Sequence, residues 1–152
     1  MADLEIVVPD ASVAAKWHLP DEEHTEQARL LLRRFSLGST ELVAPNYIRY
    51  EVPNAIAVAT QGRQPRITLQ EGREAIEEFL ALGLSLADDN ALITDAYELV
   101  HRHGCALYDA YYLALAEHLG VRFLTADRRL YDRLRHLPYI VWIGDYAPSD
   151  VS

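Results

Sequence analysis

Four acidic residues in this sequence occupy positions from which carboxylates can act together. Asp10 and Asp127 each follow a short β-branched or apolar run, whereas Glu51 and Asp109 lie near the starts of strongly apolar helical segments with few polar neighbours. Helix capping, or a favourable position in the field of a helix N-terminus, is an alternative explanation for each acid taken singly. The set is more informative than its members, because carboxylates of this kind can share one site.

Four carboxylates gathered in one place repel one another and raise their own pKa values unless a cation holds them. Mg²⁺, with Mn²⁺ as a substitute, prefers oxygen ligands and keeps several bound waters. Such waters can attack phosphorus or stabilise a leaving oxygen. If the four acids converge, the chemistry they favour is metal-dependent hydrolysis of a phosphodiester.

Other residues offer weaker sites. Asp145 also follows an apolar run and is the first replacement if one of the four acids is misassigned. The six histidines show no spacing typical of a zinc site, and the single cysteine, Cys105, is expected to be a small buried residue. The sequence contains no G-x-G-x-x-G, Walker A or G-x-S-x-G motif, which argues against a dinucleotide site, a P-loop and a hydrolase nucleophile elbow.

The elements that must position these acids alternate along the chain. Short runs predict strands at 6–8, 42–44, 84–87, 122–125 and 140–143, and 3.6-residue periodicity predicts helices at 22–35, 47–61, 68–82, 89–103, 108–119 and 128–134. This alternation is typical of an α/β protein with a mostly parallel sheet of about five strands. Sites in such sheets form beyond the carboxyl ends of the strands, where the four acids are expected to meet.

Composition limits the class of protein. The chain has 152 residues, a formal charge of −9 and no repeat or flexible linker, so one domain spanning 1–152 is expected. The negative charge argues against a generic polyanion-binding module but not against a nuclease with an acidic site. One cysteine, a start without the features of a signal peptide and the lack of a long apolar segment predict a cytoplasmic protein that does not enter a membrane.

Four motifs in order resemble those of PIN-domain ribonucleases, most closely the VapC toxins of bacterial toxin–antitoxin systems. Each motif is weak alone, but together they span nearly the whole chain, with 18 residues between Asp109 and Asp127. The motifs are VVPDASVAAKW at 7–17, EVPNA at 51–55, YDAYYLALA at 108–116 and LTAD at 124–127. The second departs from the family pattern at Pro53, which we expect to be tolerated near the start of its helix and which can tilt Glu51.

The resemblance implies a fold, a metal site and a reaction. The fold would be a three-layer α/β/α domain, and Asp10, Glu51, Asp109 and Asp127 would bind Mg²⁺ and form the catalytic site. Ser12, Asn54 and Thr125 would orient a carboxylate or a water, although Ser12 and Thr125 are equally explained as a cap and a strand-end hydroxyl. The reaction would be endonucleolytic cleavage of RNA that leaves 5′-phosphate and 3′-hydroxyl ends.

The resemblance also implies partners. A toxin of a type II toxin–antitoxin system would bind a VapB-like antitoxin and form a homodimer, and two apolar groups of residues are expected to supply the surface: Trp17, Leu19, Leu30 and Leu31, and Ile67, Leu69, Ala75, Ile76, Phe79, Leu80 and Leu82. Two alternatives stay open. A housekeeping PIN nuclease in RNA processing would have the same site without an antitoxin, and a non-catalytic PIN-like binding module would have no need for four carboxylates.

Overall fold

Five parallel strands form the centre of the molecule in a computed structural model that describes residues 4–149. The order across the sheet is β3-β2-β1-β4-β5, so the first strand along the chain lies in the middle. The strands are β1 (Glu5–Pro9), β2 (Thr40–Pro45), β3 (Ser85–Ala87), β4 (Arg122–Thr125) and β5 (Ile140–Trp142). The predicted five-strand parallel sheet is therefore confirmed.

The register brings the carboxyl ends of the central strands together. On β1, Pro9 pairs with Leu124 of β4, and the amide of Asp10 donates to the Leu124 carbonyl at 3.0 Å. On β2, Pro45 pairs with Ala87 of β3. The residues that follow β1, β2 and β4 therefore emerge at one edge of the sheet, which is where an α/β sheet forms its site.

Helices connect the strands, seven of them within residues 4–149, and the sequence periodicity predicts most of their bounds to within a few residues. They are α1 (Ala11–Ala15), α2 (Thr25–Ser36), α3 (Ile48–Ala59), α4 (Leu69–Ala81), α5 (Asn90–His103), α6 (Leu107–Leu119) and α7 (Arg128–Leu134), and a 3-10 turn (Ile143–Asp145) follows β5. Strands joined in parallel need such crossover connections, which is why helices and strands alternate.

Both faces of the sheet are buried, which gives the molecule three layers. Val7 and Leu124 pack on one face against α2, where Ala28 and Leu31 are buried. Their neighbours Val8 and Phe123 point to the other face, against buried residues of α3 to α7. Successive strand residues face opposite sides of a sheet, so these pairs alternate between two cores. The structure confirms the expected α/β/α architecture.

Local sequence signals mark the helix ends. The Thr68 hydroxyl accepts from the Glu71 amide, and the Glu71 carboxylate accepts from the Thr68 amide, each at 3.0 Å, which is a capping box. Helix α5 ends at Gly104, whose φ of +67° is a left-handed conformation that glycine adopts without steric cost. These caps fix the points at which α4 and α5 begin and end.

A buried glutamate ties the two ends of the described chain together at the amino edge of the sheet. Glu5 accepts from the Tyr146 hydroxyl at 2.9 Å, the Ser149 amide at 2.7 Å and the Ser149 hydroxyl at 2.8 Å, and Arg122 lies 3.2 Å away. Burial raises the pKa of Glu5, but these hydrogen bonds and Arg122 outweigh it and hold the pKa below its usual value. The acid therefore stays charged inside the protein.

Two sequence expectations need correction. Pro53 lies beyond the first turn of α3, not near its start. The helix continues through it because proline withholds one amide donor only, from the backbone carbonyl of Arg49, and Arg49 is exposed. Nine of the eleven apolar residues assigned to an interface are used by the cores instead: Leu19, Leu31, Ile67, Ala75 and Phe79 are buried, and Trp17, Leu30, Ile76 and Leu82 pack against them. Of both groups, Leu69 and Leu80 are the exposed members, at 79% and 49%.

No helix within residues 4–149 combines the length and the apolar character that crossing a membrane requires.

Candidate active site

Asp10 is a buried carboxylate at the end of the central strand. It caps α1, where its Oδ1 accepts from the Val13 amide at 3.1 Å and from the Ser12 hydroxyl. Its Oδ2 accepts from the Thr125 hydroxyl at 2.6 Å. Because the side chain is only 5% exposed, its orientation is fixed by these three donors rather than by water.

Ser12 and Thr125 link Asp10 to the β4–α7 connection. The Ala126 amide donates to the Ser12 Oγ at 2.8 Å, and the Asp127 amide donates to the Thr125 Oγ1 at 3.0 Å. Each hydroxyl thus accepts from the backbone beside Asp127 while it donates to the Asp10 carboxylate. The geometry suits the orienting role predicted for both residues, and that role stays a prediction.

Glu51 enters the site from the first turn of α3 and is held by a buried tyrosine. The Tyr112 hydroxyl of α6 donates to Glu51 Oε1 at 2.7 Å, and Tyr112 is 1% exposed. Sequence reasoning identified the tyrosines of α6 but not this contact. The available signal was helical spacing: Tyr112 lies three residues after Asp109 and therefore shares a face of α6 with it.

Asp109 and Asp127 complete the acidic group. Asp109 is half-buried in the first turn of α6, and Asp127 is exposed and caps α7, where its Oδ1 accepts from the Leu130 amide at 3.2 Å. The four acids lie at one edge of the sheet because the ends of β1 and β4 meet the first turns of α3 and α6 there. Burial raises the pKa of Asp109, and the nearby charge of Asp127 adds to the increase.

Burial and, to a smaller extent, mutual repulsion raise the pKa values of these carboxylates. Burial, with a smaller contribution from Asp109, raises the pKa of Asp10 to about 6 against the hydrogen bonds that lower it. Burial and the charges of Asp10 and Asp109 raise the pKa of Glu51 to about 7, although the Tyr112 hydrogen bond opposes the increase. The structure therefore brings all four predicted acids within electrostatic reach, through the pairs that Asp109 forms with the others.

The donor atoms suit a hard divalent cation. Asp10 Oδ2 accepts one hydrogen bond and keeps a free lone pair, and Glu51 and Asp127 each have one oxygen without a hydrogen bond among residues 4–149. In the same part of the chain, no three acidic, histidine or cysteine side chains are arranged to hold a metal ion. A role of the four acids in metal binding stays a prediction.

Two further residues named from the sequence, Asn54 and Asp145, form no side-chain hydrogen bond with the four acids in the described part of the chain. Asn54 is exposed and lines the same cavity as Ser12 and Glu51, but it makes no side-chain hydrogen bond to the acids among residues 4–149. Asp145 is exposed in the 3-10 turn after β5, and its charge is not among those that raise the pKa of Asp10, Glu51 or Asp109. Asp145 therefore does not replace any of the four.

Two cavities open on either side of the acids. One, of about 450 Å³, is lined by Ser12, Glu51 and Asn54 together with three tyrosines and Lys16, whose Nζ donates to the Glu23 carbonyl at 2.5 Å. The other, of about 180 Å³, is lined by Asp109, Asp127, Arg129 and Arg133. Sequence reasoning missed Lys16, although as the single lysine it was distinctive. The site thus offers acids in the middle and cations at its sides.

A three-layer domain with carboxylates at the carboxyl edge of a parallel sheet has its site where open α/β sheets generally place one, and comparison with known proteins specifies the family. A profile of the PIN domain matches residues 7–136. Ribonuclease VapC3 of Pyrobaculum aerophilum is 30% identical over 129 residues, covering 84% of this chain and 93% of that protein. The chain belongs to the PIN-domain family, and the resemblance seen in its motifs is confirmed.

Solved structures agree on the fold. A crystal structure of a Pyrobaculum aerophilum protein has a TM-score of 0.61 at 21% identity, over 92% of this chain and 91% of that one. The structure of Mycobacterium tuberculosis VapC20, described as a toxin that cleaves the sarcin-ricin loop, has a TM-score of 0.58 at 15% identity, over 79% and 87%. At these identities the similarity shows a shared architecture.

Proposed function

We propose that this protein is a divalent-metal-dependent endoribonuclease and the toxin of a type II toxin–antitoxin system. The observation that carries the proposal is the group of Asp10, Glu51 and Asp109 at the carboxyl edge of the sheet, whose pKa values are raised by burial and by the charges of neighbouring acids. Its PIN family and its identity to a relative named ribonuclease VapC3 support the choice of RNA as the substrate.

The four acids would hold the metal, with Asp10 and Asp109 as direct ligands and Glu51 and Asp127 binding directly or through water. Mg²⁺, or Mn²⁺ in its place, would supply an activated water and a positive charge beside the phosphate that reacts. Ser12 and Thr125 keep the Asp10 carboxylate in one orientation, and Tyr112 does the same for Glu51. Attack of water oxygen on phosphorus, with departure of the 3′ oxygen, leaves 5′-phosphate and 3′-hydroxyl ends.

Cleavage of RNA by purified protein tests the catalytic proposal. Activity should require Mg²⁺ or Mn²⁺, disappear with EDTA and be lost in Asp10→Asn and in Asp109→Asn, because each change removes a negative ligand with little change of shape. Asp145→Asn is the matched control, since Asp145 is an exposed strand-end acid outside the group, and it should cleave as the wild type does. Cleavage by Asp10→Asn at the wild-type rate throughout a metal titration would exclude this mechanism.

The partners belong to the same proposal. A VapB-like antitoxin would inhibit the enzyme by placing an arginine or lysine among the acids, where its charge offsets the same repulsion. We also propose that the chain forms one domain over 1–152, acts in the cytoplasm and assembles as a homodimer, to which exposed Leu69 and Leu80 can contribute. Light scattering of the purified protein tests the dimer.

Co-expression separates the toxin from its alternatives. If the adjacent upstream reading frame encodes the antitoxin, its product should form a stable complex with this chain and relieve growth inhibition. A metal-dependent nuclease that the adjacent product neither binds nor inhibits would instead be a housekeeping RNA-processing enzyme. A protein that binds RNA without cutting it at any metal concentration would be the non-catalytic binding module.

A further inference from the structure

Three exposed tyrosines form a continuous aromatic surface beside the acids, which we call the tyrosine ridge. It consists of Tyr47, which precedes α3, Tyr50 of α3 and Tyr108 of α6, exposed at 36%, 63% and 51%. The rings of Tyr47 and Tyr108 stack at 4.5 Å and are 8° from parallel, and the Tyr50 ring lies 6.1 Å from that of Tyr47. Their mutual packing holds the rings in place while much of their surface faces solvent.

The ridge is continuous with the candidate active site. All three tyrosines line the 450 Å³ cavity that also contains Ser12 and Glu51. The same three line a second cavity of about 240 Å³, so the ridge separates the two. In the sequence, Tyr50 directly precedes Glu51 and Tyr108 directly precedes Asp109. The helix turns that carry two of the four acids therefore also carry the exposed rings.

Electrostatics explains why an acidic nuclease needs such a surface. Proteins usually obtain affinity for RNA from lysine and arginine contacts to phosphate, but this chain has a formal charge of −9 and acids at the point of contact. Stacking of a base on an aromatic ring contributes about 1–3 kcal/mol per base and does not depend on the charge of the protein. Every base has a π face, so this affinity carries little base specificity.

We propose that the tyrosine ridge binds an unpaired base next to the scissile phosphate, with the exposed rings of Tyr50 and Tyr108 as the stacking surfaces. The proposal rests on the proposed function and adds to it the side chains that would hold the RNA at the cleavage site. A base inside a duplex has both faces covered by its neighbours and cannot reach the rings. The ridge therefore selects against paired RNA.

The direct test is binding of a 12-nucleotide single-stranded RNA that carries 2-aminopurine, whose fluorescence is quenched by stacking. The oligonucleotide is titrated with Asp109→Asn protein in Mg²⁺, so that cleavage does not interfere, and Tyr50→Leu and Tyr108→Leu are made in that parent. Each leucine variant should weaken binding by at least about fivefold and reduce the quench, in line with the loss of about 1 kcal/mol or more of stacking.

Matched controls isolate the ring. Tyr50→Phe and Tyr108→Phe keep the aromatic face and should bind as the parent does. Tyr97→Leu removes a tyrosine of similar exposure on α5, at 60%, that lines neither cavity, and it should also leave binding unchanged. An unlabelled duplex of the same sequence, added as a competitor, should not reverse the quench. Circular dichroism spectra that match the parent establish that each variant is folded.

Three results would contradict the proposal that the tyrosine ridge binds an unpaired base. The first is that both leucine variants bind and quench as the parent does, and the second is that an unlabelled duplex reverses the quench as strongly as the unlabelled single strand does. The third is that light scattering shows the leucine variants to dissociate a dimer, which would mean that a second copy covers the tyrosines. If wild-type protein cleaves no RNA but the quench and its loss in the leucine variants are observed, the proposed function fails and the ridge stands as a binding site.

Discussion

At the scale of single residues, the energetics of the site follow from Asp10. A carboxylate that is buried in the folded protein and exposed in the unfolded chain is more easily protonated when folded, and its pKa rises from 3.8 to about 6. The folded state is therefore favoured when Asp10 is protonated. This contribution to stability is complete below about pH 4 and is lost as the pH rises through 6.

Asp10→Asn should consequently stabilise the metal-free protein at pH 8, because the amide is neutral at every pH. A pKa increase of about two units corresponds to about 3 kcal/mol, which is the upper limit of the gain. Urea unfolding in EDTA at pH 8 and pH 5 checks this, with a smaller gain expected at pH 5. Asp145→Asn is the control for an exposed acid. An equal effect of Asp10→Asn at both pH values would show that charge burial is not the cause.

Thr125 provides a test of orientation without a change of charge. Its hydroxyl donates to Asp10 and accepts from the Asp127 amide, so Thr125→Val keeps the shape but removes both hydrogen bonds. We expect cleavage or metal affinity to fall by about 10- to 100-fold, as is usual for groups that orient metal ligands. Thr125→Ser keeps the hydroxyl and should restore most of the loss in a metal titration of the cleavage rate. Equal activity of the valine and serine variants would assign Thr125 to packing alone.

At the scale of elements, the sequence predicts where strands and helices occur better than it predicts what they contact. Strand β4 is predicted at its observed bounds, and the apolar face of α4 is predicted correctly. Ala75 and Phe79 of that face are buried within the chain, because periodicity shows which residues avoid water and not which neighbour covers them, and the dimer itself stays a prediction. In this molecule α4 packs against α3, and Ala75 and Phe79 lie in the same buried cluster as residues of α3.

In the candidate site, too, the sequence predicts local positions better than contacts. Asp10 and Asp127 are recognisable in the sequence because they follow strands, and a parallel sheet brings strand ends to one edge. Helical spacing places Tyr112 on the same face of α6 as Asp109, but it does not predict the contact with Glu51, because 61 residues separate the two and their approach depends on how α6 packs. Long-range contacts of this kind follow from tertiary structure rather than from local pattern.

The capping box at the start of α4 predicts a measurable contribution to stability. Thr68→Ala removes the acceptor of the Glu71 amide and should lower the free energy of unfolding by about 1 kcal/mol. Thr68→Ser keeps the acceptor and is the matched control, and RNA cleavage should be unchanged because α4 does not line the acidic cavity. Urea denaturation of the wild type, Thr68→Ala and Thr68→Ser measures this contribution. A loss of equal size in the serine variant would mean that the threonine methyl group, not the cap, is responsible.

At the scale of the whole molecule, Glu5 connects the first strand to the segment that ends the described chain. Because its pKa is lowered in the folded state, its contribution to stability is present above its ordinary pKa of 4.5 and is lost as the pH falls through the lowered value. Glu5→Gln leaves Arg122, Tyr146 and Ser149 with weaker partners, and we expect a loss of roughly 2 kcal/mol at pH 7.

Urea unfolding of Glu5→Gln at pH 7 and at pH 4 checks this expectation, and the difference from wild type should shrink at the lower pH. Cleavage of RNA by the folded variant should be unaffected, because Glu5 begins β1 and the acids follow its opposite end. Glu41→Gln on the neighbouring strand, where the acid accepts one hydrogen bond from Ser85, is a milder control. A pH-independent loss in Glu5→Gln would contradict the role given to its charge.

The hydrogen bond between Thr125 and Asp10 can form only late in the synthesis of the chain. Its partners lie 115 residues apart, and β1 pairs with β4 only when both have been made. At synthesis rates of about 5–20 residues per second, about 6–23 s pass between the appearance of Asp10 and that of Thr125 on the growing chain. During that interval the Asp10 carboxylate lacks its Thr125 partner and Asp127 has not been made, so the group of four acids cannot form. Under the proposed function, a nascent chain would therefore not cleave the messenger that encodes it. An antitoxin translated from an upstream frame would be complete before the nuclease is assembled.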